Sequence, residues 1–131
     1  MQYFVTGASG LIGKRLVKKL LGRKDSVVYF LIRQESESKI DALLSYWGVT
    51  KEQAIAVFGD LLTPNLGLSQ EQIKTLSNKV DHFFHLAAVY DLKASAEQQI
   101  AVNITGTHNT VALANIIAAK CFHHVSSIAA A

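Results

Sequence analysis

The sequence predicts an α/β fold in which helices wrap a parallel sheet. Short runs of β-branched and aromatic residues alternate with longer stretches of helical periodicity, and a glycine-rich turn joins the first run to the first helix. The 131 residues amount to one domain, half of them are apolar and 18% are charged. Such a chain can bury a core, which excludes disordered and collagen-like classes.

The elements follow in a regular order along the chain. Five strands are predicted, over Tyr3 to Thr6, Val27 to Ile32, Ala54 to Phe58, His82 to Leu86 and Phe122 to Ser126. Four helices are predicted, over Gly10 to Leu21, Ser38 to Tyr46, Ser69 to Leu76 and Ala96 to Ala119. Right-handed crossovers favour a doubly wound sheet in the order 3-2-1-4-5, with a crevice at the carboxyl ends of strands 1 and 4.

Local signals support the helices. The first has an apolar stripe that includes Val17 and Leu20 opposite a basic face, and Gly22 is expected to end it. Ser69 is expected to cap the third helix. Gly106, inside the last helix, predicts a close approach to a neighbouring element.

The most informative segment is the glycine loop, residues 6–13, which follows the first strand and opens the first helix. Gly7 would permit the tight turn, Gly10 would let a pyrophosphate approach the backbone, and Gly13 would let the helix lie close to the sheet. The helix N-terminus would present free N–H groups to the phosphates. The predicted cofactor-binding residues of this loop are Thr6, Gly7, Ser9, Gly10, Leu11, Ile12 and Gly13. A tight strand-to-helix turn without a ligand is the alternative interpretation.

The residues beyond the loop restrict which nucleotide the site is expected to bind. A phosphate-loop NTPase is excluded, because Gly13-Lys14 is followed by Arg15 instead of Ser or Thr. After the second strand, Arg33 occupies the position where an acidic residue would bind the ribose of NAD, and its guanidinium suits a 2′-phosphate. The sequence therefore favours NADP(H) over NAD(H). A solvated Arg33, with Glu35 reaching the ribose, is the alternative.

Two further strand ends are predicted to line the crevice. Asp60 and Leu61 follow the third strand, where a carboxylate could accept from the adenine amino group and a leucine could cover the ring. A simple Asp turn is an equal alternative. Ala87 and Ala88 follow the fourth strand, where small residues would let the ribose and phosphate pass close to the backbone, although small residues also simply pack well.

Together these segments resemble the extended short-chain dehydrogenase/reductase family, with a Rossmann-type fold. The matching segments are residues 6–13, Gly59-Asp60-Leu61, His85-Leu86-Ala87-Ala88, Asn103-Ile104-Thr105-Gly106-Thr107 and Val125-Ser126-Ser127. Within the family, residues 31–33, 82–91 and 122–131 look like the N-terminal reductase domain of bacterial two-domain fatty acyl-CoA reductases.

The resemblance implies hydride transfer between a nicotinamide and a carbonyl or alcohol carbon. It implies a Tyr proton donor, a Lys four residues later, and a Ser that binds the substrate oxygen, which falls on Ser127 with Ser126 as the neighbouring alternative. None of the four tyrosines is followed by Lys at the fourth position. The chain is therefore expected to be an N-terminal fragment of a longer reductase, inactive alone, with residues 1–131 as its NAD(P)-binding domain.

Three functions fit these observations. The first is an NADP(H)-dependent reductase of a fatty acyl-CoA or fatty aldehyde, with the acyl group implied by the resemblance alone. The second is an NAD-dependent nucleotide-sugar epimerase or dehydratase, against which Arg33 counts. The third is a module that senses NADP(H) without chemistry, which the missing Tyr and Lys would favour if the chain had its natural length.

Composition limits the partners and the compartment. The net charge of +3 is too small and too evenly spread to predict nucleic-acid binding, and no apolar run is long enough for a membrane span. The single cysteine, Cys121, and the lack of a signal peptide favour the cytoplasm. No metal site is predicted, because strand alternation sends His82 and His85 to opposite faces, and likewise His123 and His124. The sequence does not indicate an oligomeric state.

Overall fold

A parallel five-stranded sheet forms the centre of the molecule. The structure, a computed structural model, describes residues 1–86 and 96–125. The strands lie in the order β3-β2-β1-β4-β5 and each neighbouring pair is parallel, which confirms the α/β class and the predicted strand order. The strands are β1 (Gln2–Thr6), β2 (Val27–Ile32), β3 (Ala54–Phe58), β4 (His82–His85) and β5 (Cys121–His124).

The α-helices in the described part of the chain are α1 (Leu11–Leu21), α2 (Ile40–Trp47), α3 (Gln70–Leu76) and α4 (Ala96–Ile116). A short 3-10 helix at Gln34–Lys39 precedes α2, and a tight turn over Pro64–Gly67 precedes α3. No helix within the described ranges has the length and apolar character needed to cross a bilayer.

Some predicted boundaries were wrong by a few residues. The second helix begins at Ile40 and not at Ser38, because residues 34–39 wind as a 3-10 helix before it. The last helix ends before Ala119 because Ala118 has a left-handed φ of 53°. Such a helix end is usually marked by a glycine, and the sequence has none at this position. Strand β5 ends at His124, and the predicted end at Ser126 lies outside the described residues.

The two faces of the sheet bury separate apolar clusters, because alternate residues of each strand point to opposite sides. The first cluster lies under α1 and α2 and includes Tyr3, Phe30 and Trp47. The second lies under α3 and α4 and includes Phe4 and Phe83, whose rings stack at 4.7 Å. This double cover explains why the central strands are nearly continuous apolar runs.

Polar contacts fix the helices at their ends. The Trp47 indole donates to the Lys14 carbonyl at 2.9 Å, which joins α2 to the first turn of α1. The Ser69 hydroxyl accepts from the Gln72 amide, and the Gln72 side chain accepts from the Ser69 amide. This capping box confirms the predicted start of α3.

The loop after β3 folds back over the end of that strand. Asn65 and Leu66 both adopt left-handed φ values, 55° and 56°, and the Asp60 amide donates to the Leu66 carbonyl at 2.9 Å. A Cβ on Gly59 would lie 2.2 Å from that carbonyl oxygen and 2.7 Å from a Leu31 methyl. Only glycine fits at position 59, a role that the sequence pattern did not indicate.

We therefore expect Gly59→Ala to lower the free energy of unfolding by about 2 kcal/mol, because the new methyl must displace backbone. Gly22→Ala is the matched control, since Gly22 has a φ of −71° that alanine adopts and its Cβ would make only ordinary contacts. Urea unfolding of both variants measures the difference. Equal stability of the two variants would contradict the packing of the β3–α3 loop.

Candidate functional site

The glycine loop makes a tight turn at the carboxyl end of β1. Gly7 has a left-handed φ of 77°, and the Gly10 amide donates to the Gly7 carbonyl at 3.1 Å. A Cβ on Gly13 would lie 1.9 Å from the same carbonyl oxygen, so the first turn of α1 packs directly on the loop. These two glycines have the mechanical roles that the sequence predicted.

The N-terminus of α1 is open. Gly10 occupies the N-cap position without a side-chain cap, and the first turn contains no acidic residue. The first hydrogen bond of the helix is donated by the Lys14 amide to the Gly10 carbonyl. The amides of residues 11–13 lie before this bond, where a helix offers them no carbonyl partner. Leu11 and Ile12 are 72% and 68% exposed, and Ser9 is exposed beside them. This geometry suits an anion such as a pyrophosphate.

Gly10 differs from the other two loop glycines. Its Cβ would meet the Gly7 carbonyl at 3.4 Å, an ordinary contact, and it would otherwise point into open space at the exposed helix end. The fold therefore does not require a glycine at position 10. A ligand that approaches the backbone at this point would require one.

Beneath the loop lies a buried polar network. Thr6 Oγ1 and His85 Nδ1 are hydrogen-bonded at 2.7 Å, and the Leu86 amide donates to Thr6 Oγ1 at 3.1 Å. The other ring nitrogen, His85 Nε2, is 3.2 Å from Thr107 Oγ1 on α4. The network joins β1, β4 and α4 at the edge where the glycine loop begins.

His85 is 2% exposed, and it is neutral at physiological pH. Burial, with a smaller contribution from the nearby His124, lowers the pKa of His85 to about 4. Because the Thr6 side chain is engaged in this network, its predicted contact with the cofactor stays a prediction. The sequence-based prediction missed the roles of His85 and Thr107, although a histidine in an apolar central strand signals a buried polar contact.

The loop after β3 begins at the same edge of the sheet as the glycine loop, because the strands are parallel. Asp60 Oδ1 accepts from the Leu62 amide at 2.9 Å, the Asp turn that the sequence left as an alternative. Leu61 packs against α4, where a Cβ on Gly106 would lie 3.3 Å from the Leu61 Cβ. The Leu61 carbonyl also accepts from Asn109 Nδ2 at 2.8 Å. The close approach predicted at Gly106 is therefore real, while the adenine contacts of Asp60 and Leu61 stay predictions.

Arg33 follows β2 directly and lies at the same edge of the sheet as the glycine loop. Its side chain is 67% exposed, and its Nε lies 3.6 Å from a Glu35 carboxylate oxygen. Such an exposed pair contributes little to stability, so the guanidinium can reorient towards a ligand at small cost. The remaining predicted site residues, Ala87, Ala88 and Ser127, lie outside the described residues.

The prediction that no metal-binding cluster forms rested on the histidines alone. The two histidines of each pair do face opposite sides. His82 stacks on Tyr3 while His85 bonds to α4, and His123 stacks on Phe84 while His124 stacks on His85. His82 and His123 nevertheless share a face with Cys121, and their potential ligand atoms all lie within 4.8 Å of one another. Strand alternation therefore does not exclude a cluster, because a cysteine joins the two histidines of one face.

The buried His85 predicts a pH dependence of stability. The pKa is about 4 in the folded state and 6.5 when solvated, so only the unfolded chain gains a proton between these values. The contribution of His85 to the free energy of unfolding is fully present above pH 6.5, and it falls by up to about 3 kcal/mol as the pH approaches 4. We expect the free energy of unfolding, measured with urea between pH 4.5 and 7.5, to depend more steeply on pH in the wild type than in His85→Gln. His108→Gln, at an exposed position on α4, should retain the wild-type slope, and a wild-type slope in His85→Gln would refute the assignment.

Comparisons with known proteins identify relatives over nearly the whole chain. The model of the NAD-binding family described as male sterility protein matches residues 5–131. A component of the linear gramicidin synthase of Brevibacillus parabrevis is 32% identical over 132 residues, which cover 95% of this chain and 3% of that protein. Human fatty acyl-CoA reductase 1 is 28% identical over 139 residues, which cover 94% of this chain and 27% of that enzyme.

Solved structures show the same fold. The terminal R domain from the myxalamid PKS-NRPS biosynthetic pathway superposes with a TM-score of 0.80 at 27% identity, over 99% of this chain and 35% of that one. Gre2 of Candida albicans, solved in complex with NADPH, has a TM-score of 0.76 at 24% identity, over 99% of this chain and 38% of that one. The chain thus spans about a third or less of the length of the first relatives named. It belongs to the male sterility protein family of extended short-chain dehydrogenases/reductases, as a reductase-type dinucleotide-binding domain related to fatty acyl-CoA reductases and to the reductase domains of nonribosomal peptide synthetases.

Proposed function

We propose that this chain holds NADP(H) for the reduction of an acyl thioester or aldehyde carbonyl. The observation that carries the proposal is the open, uncapped N-terminus of α1, where the amides of residues 11–13 precede the first intrahelical bond. A pyrophosphate bound there would accept hydrogen bonds from these amides and interact favourably with the positive end of the helix dipole. Gly10 would give it access to the backbone.

The preference for NADP(H) rests on Arg33. A 2′-phosphate on the ribose beside β2 would accept paired, charged hydrogen bonds from the guanidinium, which would exchange its weak contact with Glu35 for a stronger one. No carboxylate takes the place of Arg33 directly after the strand. Asp60 and Leu61 would flank the adenine, and the small side chains of Ala87 and Ala88 would let the ribose and phosphate pass close to the backbone.

The substrate class comes from the relatives. A fatty acyl-CoA reductase is named for an acyl thioester, and a thiolation-reductase di-domain is also among the similar structures, at 17% identity. In such a reduction the bound nicotinamide supplies hydride to the carbonyl carbon. Ser127 would donate a hydrogen bond to the carbonyl oxygen. Since no tyrosine here has a lysine four residues later, we propose that these 131 residues bind the cofactor but do not supply the proton donor.

Calorimetric titration with NADPH and NADH, on a chain shown to be folded by circular dichroism, tests the proposal. We expect both cofactors to bind, with NADPH the tighter. A folded chain that binds neither would overturn the function itself, whereas equal affinities would overturn only the role of Arg33.

Arg33→Asp should weaken NADPH binding by about 2 to 3 kcal/mol and leave NADH nearly unaffected, because a charged hydrogen-bonded pair is lost and a carboxylate faces the phosphate. Arg23→Asp is the matched control. It makes the same charge change at an exposed position after α1, towards the opposite edge of the sheet. The role of Arg33 would be contradicted if Arg33→Asp and Arg23→Asp lost equal affinity for NADPH, or if Arg33→Asp weakened NADH binding as much as NADPH binding.

Gly10→Val should abolish binding of both cofactors while the fold survives, since its Cβ makes only an ordinary contact but its branch would occupy the pyrophosphate position. Gly13→Ala should instead lose stability, because its methyl would overlap the Gly7 carbonyl. Calorimetry and urea unfolding of both variants separate the two effects. Unchanged cofactor affinity in Gly10→Val would remove the glycine loop from the binding site.

A further inference from the structure

Three potential metal ligands meet at the start of the last two strands. His82 is the first residue of β4 and Cys121 is the first residue of β5, and the two are register partners in the parallel ladder. His123 lies two residues after Cys121 and so on the same face of the sheet. The pairing of β4 with β5 therefore places two imidazoles and one thiol side by side.

The donor atoms are close. His82 Nδ1 lies 3.0 Å from His123 Nε2, and one ligand atom from each of the three side chains lies within 4.8 Å of the others. The nitrogen ligands of a tetrahedral zinc site are about 3.3 Å apart, and a nitrogen and a sulfur about 3.6 Å apart, given the usual bond lengths. The separation of the two nitrogens is thus close to that of a zinc site, and the hydrogen bond between them must open for both to bind the metal. The Cys121 thiol is free and exposed, and it lies within 4.8 Å of a ligand nitrogen of each imidazole.

Aromatic neighbours hold the two imidazoles in position. His82 stacks on Tyr3 with ring centroids 5.7 Å apart, and His123 stacks on Phe84 at 4.6 Å. Tyr3 is 2% exposed, so this support is part of the core. Ligand rings that are already ordered lose little entropy when they bind a metal.

We infer that His82, Cys121 and His123 form a binding site for Zn²⁺. Two imidazole nitrogens and a thiolate are the ligand types that this borderline-soft cation prefers, and three protein ligands leave a fourth position open to solvent. The thiol of Cys121 gives up its proton to solvent when the zinc–sulfur bond forms. The hydrogen that the two rings share in their hydrogen bond moves to the other nitrogen of the ring that holds it, so that both facing nitrogens can bind the metal.

The site lies away from the proposed cofactor site. Its ligands lie at and near the amino-terminal ends of β4 and β5, whereas the glycine loop follows the carboxyl end of β1. A metal there would fasten β5, an edge strand of the described sheet, to β4. Cation binding should therefore stabilise the folded chain.

Titration of the reduced chain with Co²⁺, a spectroscopic substitute for Zn²⁺, tests the inference. The wild type should develop a thiolate-to-cobalt charge-transfer band and visible bands of a tetrahedral site, and Zn²⁺ should displace the cobalt. Cys121→Ser should remove the charge-transfer band. His123→Gln should weaken binding at least about tenfold, since the loss of even an outer-shell partner costs about 10- to 100-fold.

His124→Gln is the matched control, because His124 is the next residue but stacks on His85 at the other face of the sheet. It should bind Co²⁺ as the wild type does. A second measurement needs no variant: since Cys121 is the single cysteine, a thiol-reactive probe reports on it alone, and Zn²⁺ should slow the reaction. A wild type without the charge-transfer band, a thiol that Zn²⁺ does not protect, or equal losses in His123→Gln and His124→Gln would each overturn the site.

Discussion

The contact between the first turn of α1 and the glycine loop is the constraint on which the rest of the structure depends. A Cβ at Gly13 would lie 1.9 Å from the Gly7 carbonyl oxygen, so the helix can reach this position only with glycine there. The same contact aims the helix N-terminus at the carboxyl end of β1. It also places Val17 and Leu20 against the sheet, where they join the first apolar cluster. Helix packing and ligand access are therefore consequences of one close approach.

The buried network around His85 extends this constraint across the sheet. Thr6 precedes the glycine loop, and its bonds to His85 and to the Leu86 amide hold the ends of β1 and β4 in register. The contact of His85 with Thr107 connects both strands to α4. Removing a neutral imidazole from water costs free energy, which its two side-chain hydrogen bonds offset. Protonation would place a charge on a buried imidazole between two hydroxyls. The burial that lowers the pKa of His85 therefore also keeps it in the neutral form that supports the glycine loop.

Most of the architecture could be predicted from the sequence, because it depends on local pattern. The period of apolar residues located the strands, and right-handed crossovers ordered them. The left-handed φ values of Leu66 and Ala118 could not be predicted, since neither residue is the glycine or asparagine that usually adopts them. The cluster of His82, Cys121 and His123 was missed for another reason. Alternation within a strand fixes the face of a side chain, but only the register of β4 against β5 shows which side chains are neighbours.

The two edges of the parallel sheet differ in chemistry for a physical reason. At the carboxyl edge, the strands lead into loops and helix N-termini, so backbone N–H groups are available and anions are favoured. At the amino edge, helices end and their carbonyls favour cations. The glycine loop and Arg33 lie at the first edge, whereas His82 and Cys121 lie at the second, next to the ion pair of Asp81 and Lys120. A phosphate-bearing cofactor and a metal cation would thus each meet the electrostatic environment that suits its charge, and neither would compete with the other for ligands.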